Sequence, residues 1–281
     1  MPQFDISAVT TFVDGLDHPE GLAFAADGYL WAGGELGQVY RISPDGQQTT
    51  VLATTGGFSL GMAFDREGNC FVANHGLPAV VKVAPDGRFS IFADEVRGRK
   101  IRVPNVPVFD MEGNLYVSDS GDWYGSNGVI YRFTPDGRGV VWATGFNFTN
   151  GLAIDAAGEF LYVVESCEDR VDRIRIKRDG TAGEREVFAN GVSHVPDGLA
   201  FDAQGTLYIT CYASNRLYTA DRSGALTVLV EDPDYTPLCH PTNCAFGGPG
   251  FDELYISNLG RWHISKLPLG IKGQPLYGGL R

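Results

Sequence analysis

One short motif occurs six times in this chain, and one position in it holds the residues best suited to chemistry. The motif reads P-E-G-L-A-F at 19–24 and P-D-G-L-A-F at 196–201, with looser copies between and after these two. The residues directly before the glycine-like position are Glu20, Leu60, Asn105, Asn150, Asp197 and Thr242. Four of these are carboxylates or carboxamides. If the copies form a ring, their oxygens converge on one point and make the ligand set of a hard divalent cation.

The donor types narrow the choice of cation. An all-oxygen set favours Ca²⁺, Mg²⁺ or Mn²⁺ over Zn²⁺, which prefers His and Cys. The alternative is that Asn and Asp only form turns before strands, as they often do. That alternative does not explain Glu20, a poor turn residue at the same place in the motif.

The spacing of the six copies indicates the architecture that positions these side chains. The six positions are 40 to 47 residues apart, and a period in the forties with short strands is typical of a β-propeller blade. We therefore predict an all-β, six-bladed β-propeller with four-stranded antiparallel blades, forming a single domain over residues 1–281. In the fifth repeat, the strands are predicted at 198–202, 206–210, 216–220 and 225–230.

The two ends of the chain are predicted to share the last blade. The sixth repeat lacks a convincing fourth strand, whereas the segment 10–15 resembles 186–191, the predicted fourth strand of another repeat. The N-terminal strand is therefore expected to complete the sixth blade and close the ring. Closure removes a free sheet edge that would otherwise pair with another chain.

Composition and charge argue against several classes of protein. The formal charge is −12, from 22 basic and 34 acidic residues, which disfavours nucleic-acid and anionic-membrane partners. The sequence shows no secretory signal and no run long enough to span a bilayer. The five cysteines lack CxxC spacing, so we expect reduced thiols and a cytoplasmic location, with a Cys239–Cys244 disulfide as the alternative. The absence of a G-x-S-x-G motif disfavours a Ser or Cys hydrolase.

Strand direction predicts which loops share a face with the four oxygens. The first strand of each blade starts at this face, so the loops between second and third strands and between blades lie there too. Polar candidates for the pocket wall are Arg102, Asp119 and His75. Asp119 would contact substrate, orient a ligand or cap its own loop, and the alternative for His75 is an exposed histidine without a role. The aromatic candidates are Phe58, Trp123, Tyr124, Phe146, Phe148, Tyr212, Tyr235 and Trp262.

On these motifs the chain resembles the SMP-30/gluconolactonase/luciferin-regenerating-enzyme family. These six-bladed propellers include sugar lactonases and, more distantly, diisopropyl-fluorophosphatase and paraoxonase. The resemblance covers essentially the whole chain and rests on H-P-E-G-L-A-F at 18–24, N-x-P-x-F-D-x-x-G-N-L-Y-V-S-D at 105–119, N-G-L-A-I-D at 150–155 and P-D-G-L-A-F-D at 196–202. It implies a divalent metal held by Glu20, Asn105, Asn150 and Asp197, with Asp197 as catalytic base.

The third repeat departs from the family pattern in two places. Sugar-lactonase members carry an Arg two residues before the Asn of this blade. Val103 stands there instead, with Arg102 one residue further back, and the usual Asn-Asp pair is Asn105-Val106. Both departures weaken the case for a polyhydroxylated sugar lactone as substrate.

The resulting prediction is a metal-dependent lactonase. A bound divalent cation would polarise the carbonyl of a cyclic ester and activate water, with Asp197 or Glu20 accepting the proton. The expected cation is Ca²⁺, with Mg²⁺, Mn²⁺, Fe²⁺ and Zn²⁺ as alternatives, and the expected partner is a small-molecule lactone with an apolar or aromatic part. Aldonolactones remain an alternative, as do phosphotriester or carbon–carbon chemistry and a non-catalytic calcium-binding propeller. A monomer or weak homo-oligomer is expected.

Overall fold

Six four-stranded antiparallel sheets dominate this computed structural model, which describes residues 1–280. Blades one and two contain β2 (Leu22–Phe24), β3 (Leu30–Gly33), β4 (Gln38–Ile42), β5 (Thr49–Thr54), β6 (Ser59–Phe64), β7 (Cys70–Asn74), β8 (Ala79–Val83) and β9 (Phe89–Ala93). Blades three and four contain β12 (Pro104–Phe109), β13 (Leu115–Asp119), β14 (Gly128–Phe133), β15 (Gly139–Phe146), β16 (Thr149–Ile154), β17 (Phe160–Glu165), β18 (Arg170–Ile176) and β19 (Ala182–Asn190). Blades five and six contain β20 (Pro196–Phe201), β21 (Leu207–Cys211), β22 (Arg216–Ala220), β23 (Leu226–Glu231), β24 (Pro241–Gly247), β25 (Glu253–Asn258), β26 (His263–Pro268) and β1 (Thr10–Val13).

Within the first five blades, each strand pairs with the next strand in sequence, which short hairpin turns allow. The fifth blade follows its sequence pattern closely: the third strand has the predicted bounds, and the other three shift by one or two residues. The remaining elements are a small hairpin of β10 (Glu95–Val96) and β11 (Arg99–Lys100), and two 3₁₀ turns at Ile6–Ala8 and Ser166–Glu168.

The sheets are arranged as a closed ring. The inner strands β2, β6, β12, β16, β20 and β24 contact one another in that order, and β24 contacts β2. An aromatic residue on a second strand meets a phenylalanine at the end of the next blade's inner strand, as in the pairs Trp31–Phe64 and Tyr162–Phe201. These edge-to-face contacts supply apolar burial between the blades. The predicted six-bladed propeller is confirmed.

The chain termini meet in the sixth blade. Strand β1 pairs antiparallel with β26 through Thr10↔Lys266 and Thr11↔Ser265, so the sheet has the order β1-β26-β25-β24. The preceding residues extend the contact, because the amides of Gln3 and Phe4 donate to carbonyl oxygens of β23 in the fifth blade. The N-terminal segment therefore joins two blades as well as closing the ring.

Deleting residues 1–14 is expected to cause aggregation or a large fall in Tm. The deletion leaves β26 as a free edge and removes the backbone hydrogen bonds to β23, and unpaired edges associate with other chains. Thermal unfolding combined with light scattering measures both effects. Deletion of only Met1 and Pro2 is the control and should change little. A 1–14 truncation that stays monomeric and equally stable would contradict this account of closure.

The C-terminal segment after β26 crosses the face of the ring opposite to the four oxygens. There Gln274 donates its backbone amide to Phe201 O and its side-chain amide to Ile154 O, both at the far ends of inner strands. Tyr277 stacks on Phe109 with ring centroids 5.3 Å apart. Together with the inner strands, this segment encloses an apolar cavity of about 120 Å³. Nothing in the repeat pattern predicted this crossing.

Two expectations from composition, on the cysteines and on membrane-spanning segments, can be compared with the structure. All five cysteines are free, so Cys239 and Cys244 form no disulfide. No helix in residues 1–280 has the length and apolar character needed to cross a membrane.

Candidate metal centre

The four predicted ligands lie at the starts of inner strands. Asn105, Asn150 and Asp197 are the second residues of β12, β16 and β20, and Glu20 lies two residues before β2. All four side chains are buried. The glycine that follows the candidate ligand in the motif lets adjacent inner strands approach closely. At Gly151 the approach is so close that a methyl group would overlap the carbonyl oxygen of Asp197. Glycine in the motif therefore allows neighbouring ligands to approach across the blade boundary.

Three of the candidate ligand oxygens have no hydrogen-bond donor within residues 1–280. Among residues 1–280, no protein group donates to Oδ1 of Asn105, Asn150 or Asp197, although all three atoms are buried. An unpaired buried acceptor costs about 1–3 kcal/mol, so three of them at equivalent positions in neighbouring blades require an explanation. Coordination of one cation by all three oxygens would explain why they lack hydrogen-bond donors.

The two carboxylates in the ring disfavour one another's charge. Burial raises the pKa of Glu20 well above its usual range, and the negative charge of Asp197 raises it further. Burial also raises the pKa of Asp197 to about 8, with the Asn150 carboxamide acting in the opposite direction. Two buried carboxylates and two neutral amide oxygens match the charge and donor preference of one divalent cation. The residues present therefore fit the metal that the motif implies.

The other two ring positions do not add to this set. Leu60 is a buried apolar residue. The Thr242 hydroxyl donates to the main-chain oxygen of Glu20 at 2.7 Å, so it holds the backbone of a ligand. The centre is thus polar in five sectors, four of which carry candidate ligands, and apolar in the sector of blade two.

Sequence reasoning missed three side chains beside the ligands. Asn243 occupies the motif position that glycine holds in most copies, and its Nδ2 lies 3.5 Å from Glu20 Oε2. Ser120 Oγ accepts from Asn105 Nδ2 at 3.0 Å, and Ser166 Oγ accepts from Asn150 Nδ2 at 3.2 Å. The signal for Asn243 was present in the sixth motif copy, where it replaces glycine.

Asp119 is fully engaged with the backbone of its own blade. Its two carboxylate oxygens each accept an amide at 2.9 Å, one from Arg102 and the other from Val103. Glu165 and Asn258 at the equivalent strand ends hold their own incoming segments in the same way, through the amides of Asn147 and Cys239. Asp119 thus anchors the segment that leads to Asn105. Of its three predicted roles, this contact agrees best with orienting a ligand.

The other polar candidates lie on the exposed rim. The Arg102 guanidinium is half exposed and pairs with Asp122 at 2.8 Å. His75 is exposed, and its backbone amide donates to Phe58 O. Arg102 makes its side-chain hydrogen bonds and ion pair with Asp122, which is not one of the four candidate ligands.

Six of the eight aromatic candidates form three groups on the rim. Of the other two, Phe58 is half-buried and Phe146 lies in the core. Trp123 packs against Phe148 at 4.4 Å, Tyr212 and Tyr235 flank His240, and Trp262 packs against His18. Tyr124 extends the first group. Phe146 is fully buried and packs with the core between blades three and four. Its prediction as a pocket wall is wrong, because the last residue of β15 points into the core instead.

A six-bladed propeller with four buried oxygen ligands at its centre defines a class of candidate metal-dependent propeller proteins. Residues 19–259 match the SMP-30/Gluconolactonase/LRE-like region, and the chain belongs to this family. The match covers all six motif copies.

Individual relatives agree with this assignment. The chain is 28% identical over 222 residues to a gluconolactonase from Zymomonas mobilis, a match that covers 71% of this chain and 60% of that one. The chain thus spans less than two thirds of the length of that relative. A solved gluconolactonase from Xanthomonas campestris has a TM-score of 0.80 at 23% identity, covering 93% of this chain and 89% of that one. The calcium-binding protein regucalcin from Agrobacterium tumefaciens has a TM-score of 0.75 at 19% identity, covering 95% and 99%. Both structures share the fold.

Proposed function

We propose that this protein is a hydrolase that opens lactones with one bound divalent cation, Ca²⁺ in the first instance. The single observation that carries the proposal is the set of three orphaned, buried oxygens beside a second buried carboxylate. Membership of the gluconolactonase family and similarity to a named gluconolactonase support a lactonase-type hydrolase. The six-bladed unit, residues 1–281, is proposed to act as a single domain.

The chain's own residues divide the work of the reaction. Asn105 and Asn150 hold the cation through neutral oxygens, and Glu20 and Asp197 balance its charge. The bound cation supplies Lewis-acid polarisation of the lactone carbonyl and lowers the pKa of a water molecule. Asp197 would accept the proton of the attacking water through its second carboxylate oxygen, while Oδ1, which has no donor among residues 1–280, would hold the cation. Glu20 is the next candidate, although Asn243 lies beside one of its oxygens.

The rim supports a lactone with an apolar or aromatic part. Trp123 packs against Phe148, and Tyr212 stacks on His240, in loops at the same end of the blades as the candidate ligands. Pockets with apolar walls bind ligands with apolar surface. Arg102 is the charged residue nearest in sequence to Asn105, and its guanidinium forms an ion pair with Asp122. Arg102 would bind sugar hydroxyls only through the guanidinium N–H groups that Asp122 leaves free.

The proposal is tested by metal analysis of the purified protein followed by a lactone panel read through proton release. We expect about one divalent cation per chain and a higher kcat/KM for dihydrocoumarin or an alkyl γ-lactone than for glucono-δ-lactone. A clear preference for glucono-δ-lactone would retain the lactonase but contradict the apolar pocket. Turnover of a phosphotriester but of no lactone would indicate a phosphotriesterase instead of a lactonase. Tight calcium binding without any hydrolysis would favour the non-catalytic alternative.

A further inference from the structure

We propose that Ser120 and Ser166 are positioning residues that turn the carboxamide oxygens of Asn105 and Asn150 towards the cation. The inference rests on the metal site of the proposed function and adds the device that gives two of its ligands their orientation. Both serines are completely buried, and each contacts one of the two carboxamide ligands through its hydroxyl.

Hydrogen-bond chemistry allows only one orientation of each carboxamide. Ser120 Oγ donates its single proton to Thr149 O at 2.7 Å, and Ser166 Oγ donates to Pro196 O at 2.7 Å. A carbonyl oxygen can only accept, so each hydroxyl has lone pairs alone to offer its asparagine. The amide nitrogen must therefore face the serine, at 3.0 Å for Asn105 and 3.2 Å for Asn150. Oδ1 then faces the opposite way, where it is buried without a donor.

The same two hydroxyls connect three neighbouring ligands. Thr149 and Pro196, whose oxygens accept from the serines, directly precede Asn150 and Asp197 in sequence. Each serine thus links the ligand of its own blade to the backbone just before the ligand of the next blade. The relay runs from blade three to blade five and relates Asn105, Asn150 and Asp197 to one another. A hydroxyl at these places determines both the rotation of an amide and the spacing of the ligands.

The sequence places serine only where a carboxamide needs it. The residues directly after the second strands of blades one to six are Gly34, His75, Ser120, Ser166, Tyr212 and Leu259. Serine occurs in blades three and four, whose ring residues are asparagines. The blades of Glu20 and Asp197 have Gly34 and Tyr212 instead. A carboxylate presents oxygen at both ends, so it binds a cation in either rotation, whereas a reversed carboxamide presents N–H donors to it.

The test is calorimetric titration of chelator-treated, full-length protein with calcium chloride. We expect Ser120→Ala and Ser166→Ala each to raise the calcium Kd by about 10- to 100-fold, the range seen when groups that orient metal ligands are removed. Ser118→Ala is the matched control. Ser118 is an equally buried serine two residues earlier in the chain, in β13, but its hydroxyl bonds the backbone of Val106 and, among residues 1–280, no carboxamide. This control should lower the Tm of metal-free protein comparably while it leaves the calcium Kd unchanged.

A double-mutant cycle separates orientation from packing. In an Asn105→Asp background, Ser120→Ala should no longer raise the calcium Kd, because both ends of the new carboxylate are oxygen. An equal rise in both backgrounds would overturn the orienting role and assign the effect to packing. Unchanged calcium Kd in both serine variants would overturn the inference while the metal site stands. If the wild-type protein itself binds no divalent cation, the proposed function fails first, and that result is distinct from either of these.

Discussion

Replacing Asp197 with asparagine is expected to abolish most turnover while the fold persists. Asparagine keeps the shape and one oxygen, so the cation retains a ligand at this position. It cannot accept a proton from water, and loss of a general base lowers turnover by roughly a hundredfold or more. The substitution also removes one of two carboxylates that raise each other's cost of ionisation. We therefore expect the Tm of metal-free protein to be equal to or higher than that of the wild type, with kcat as the quantity that falls.

Asp202→Asn provides the matched control for this result. Asp202 is a buried carboxylate of the same blade, but it lies at the other end of β20 and accepts the amides of Gln204 and Thr206 in a turn. Its replacement should lower Tm and leave kcat nearly unchanged. If Asp197→Asn binds calcium and still turns over at a near-normal rate, the base lies elsewhere. Glu20→Gln is then the next variant to measure.

Chelation is expected to remove activity and lower Tm together. The proposed cation would bind ligands from blades one, three, four and five, so it would join four of the six blades at the centre of the ring. A ligand that binds only the folded state stabilises it by mass action, so EDTA removes that stabilisation and adding back Ca²⁺ restores it. Activity assays and thermal unfolding of the same samples measure both effects. Full activity in protein shown by elemental analysis to be metal-free would contradict the metal hypothesis.

The pH dependence of the chelated protein provides a second check. In the folded state burial raises the pKa of Asp197 to about 8, and burial beside Asp197 raises that of Glu20 as well. The neutral carboxyl form therefore fits the metal-free fold better than the charged form. Its stabilising contribution is full below the unfolded-state pKa and is lost as pH rises through the folded-state pKa. The difference in Tm between calcium-loaded and chelated protein should widen from about pH 5 to about pH 9. A constant difference would show that these carboxyls do not face the cation.

The parts of this protein that were predictable from sequence are those that repeat. A strand pattern is local, since side-chain alternation and glycine turns depend on residues close in sequence. Six copies in phase then predicted the ring, four candidate ligand positions and the strand that closes the last blade. The closing strand was recognisable because 10–15 keeps the pattern of a fourth strand.

The side chains that escaped prediction act between repeats. Ser120 and Ser166 are unremarkable loop residues in sequence, and their meaning appears only when their hydroxyls reach the next blade. Phe146 carries the same local signal as Phe148, yet one enters the core and the other reaches the rim. The side chain of the last residue of a strand and that of a residue two places later can point in different directions, because the chain leaves the strand between them. Composition does not reveal this change of direction.

The architecture and the donor types expected at the centre could thus be predicted, because both follow from one motif repeated at a fixed spacing. The arrangement of the centre became visible only in the folded ring. The tertiary structure showed which buried oxygens lack a donor among residues 1–280, which serine hydroxyls accept from the two carboxamides, and that Asp119 holds backbone. It also placed the C-terminal segment across the far face of the ring. These features depend on contacts between residues far apart in the chain, and closing the ring brings such residues to hydrogen-bonding distance.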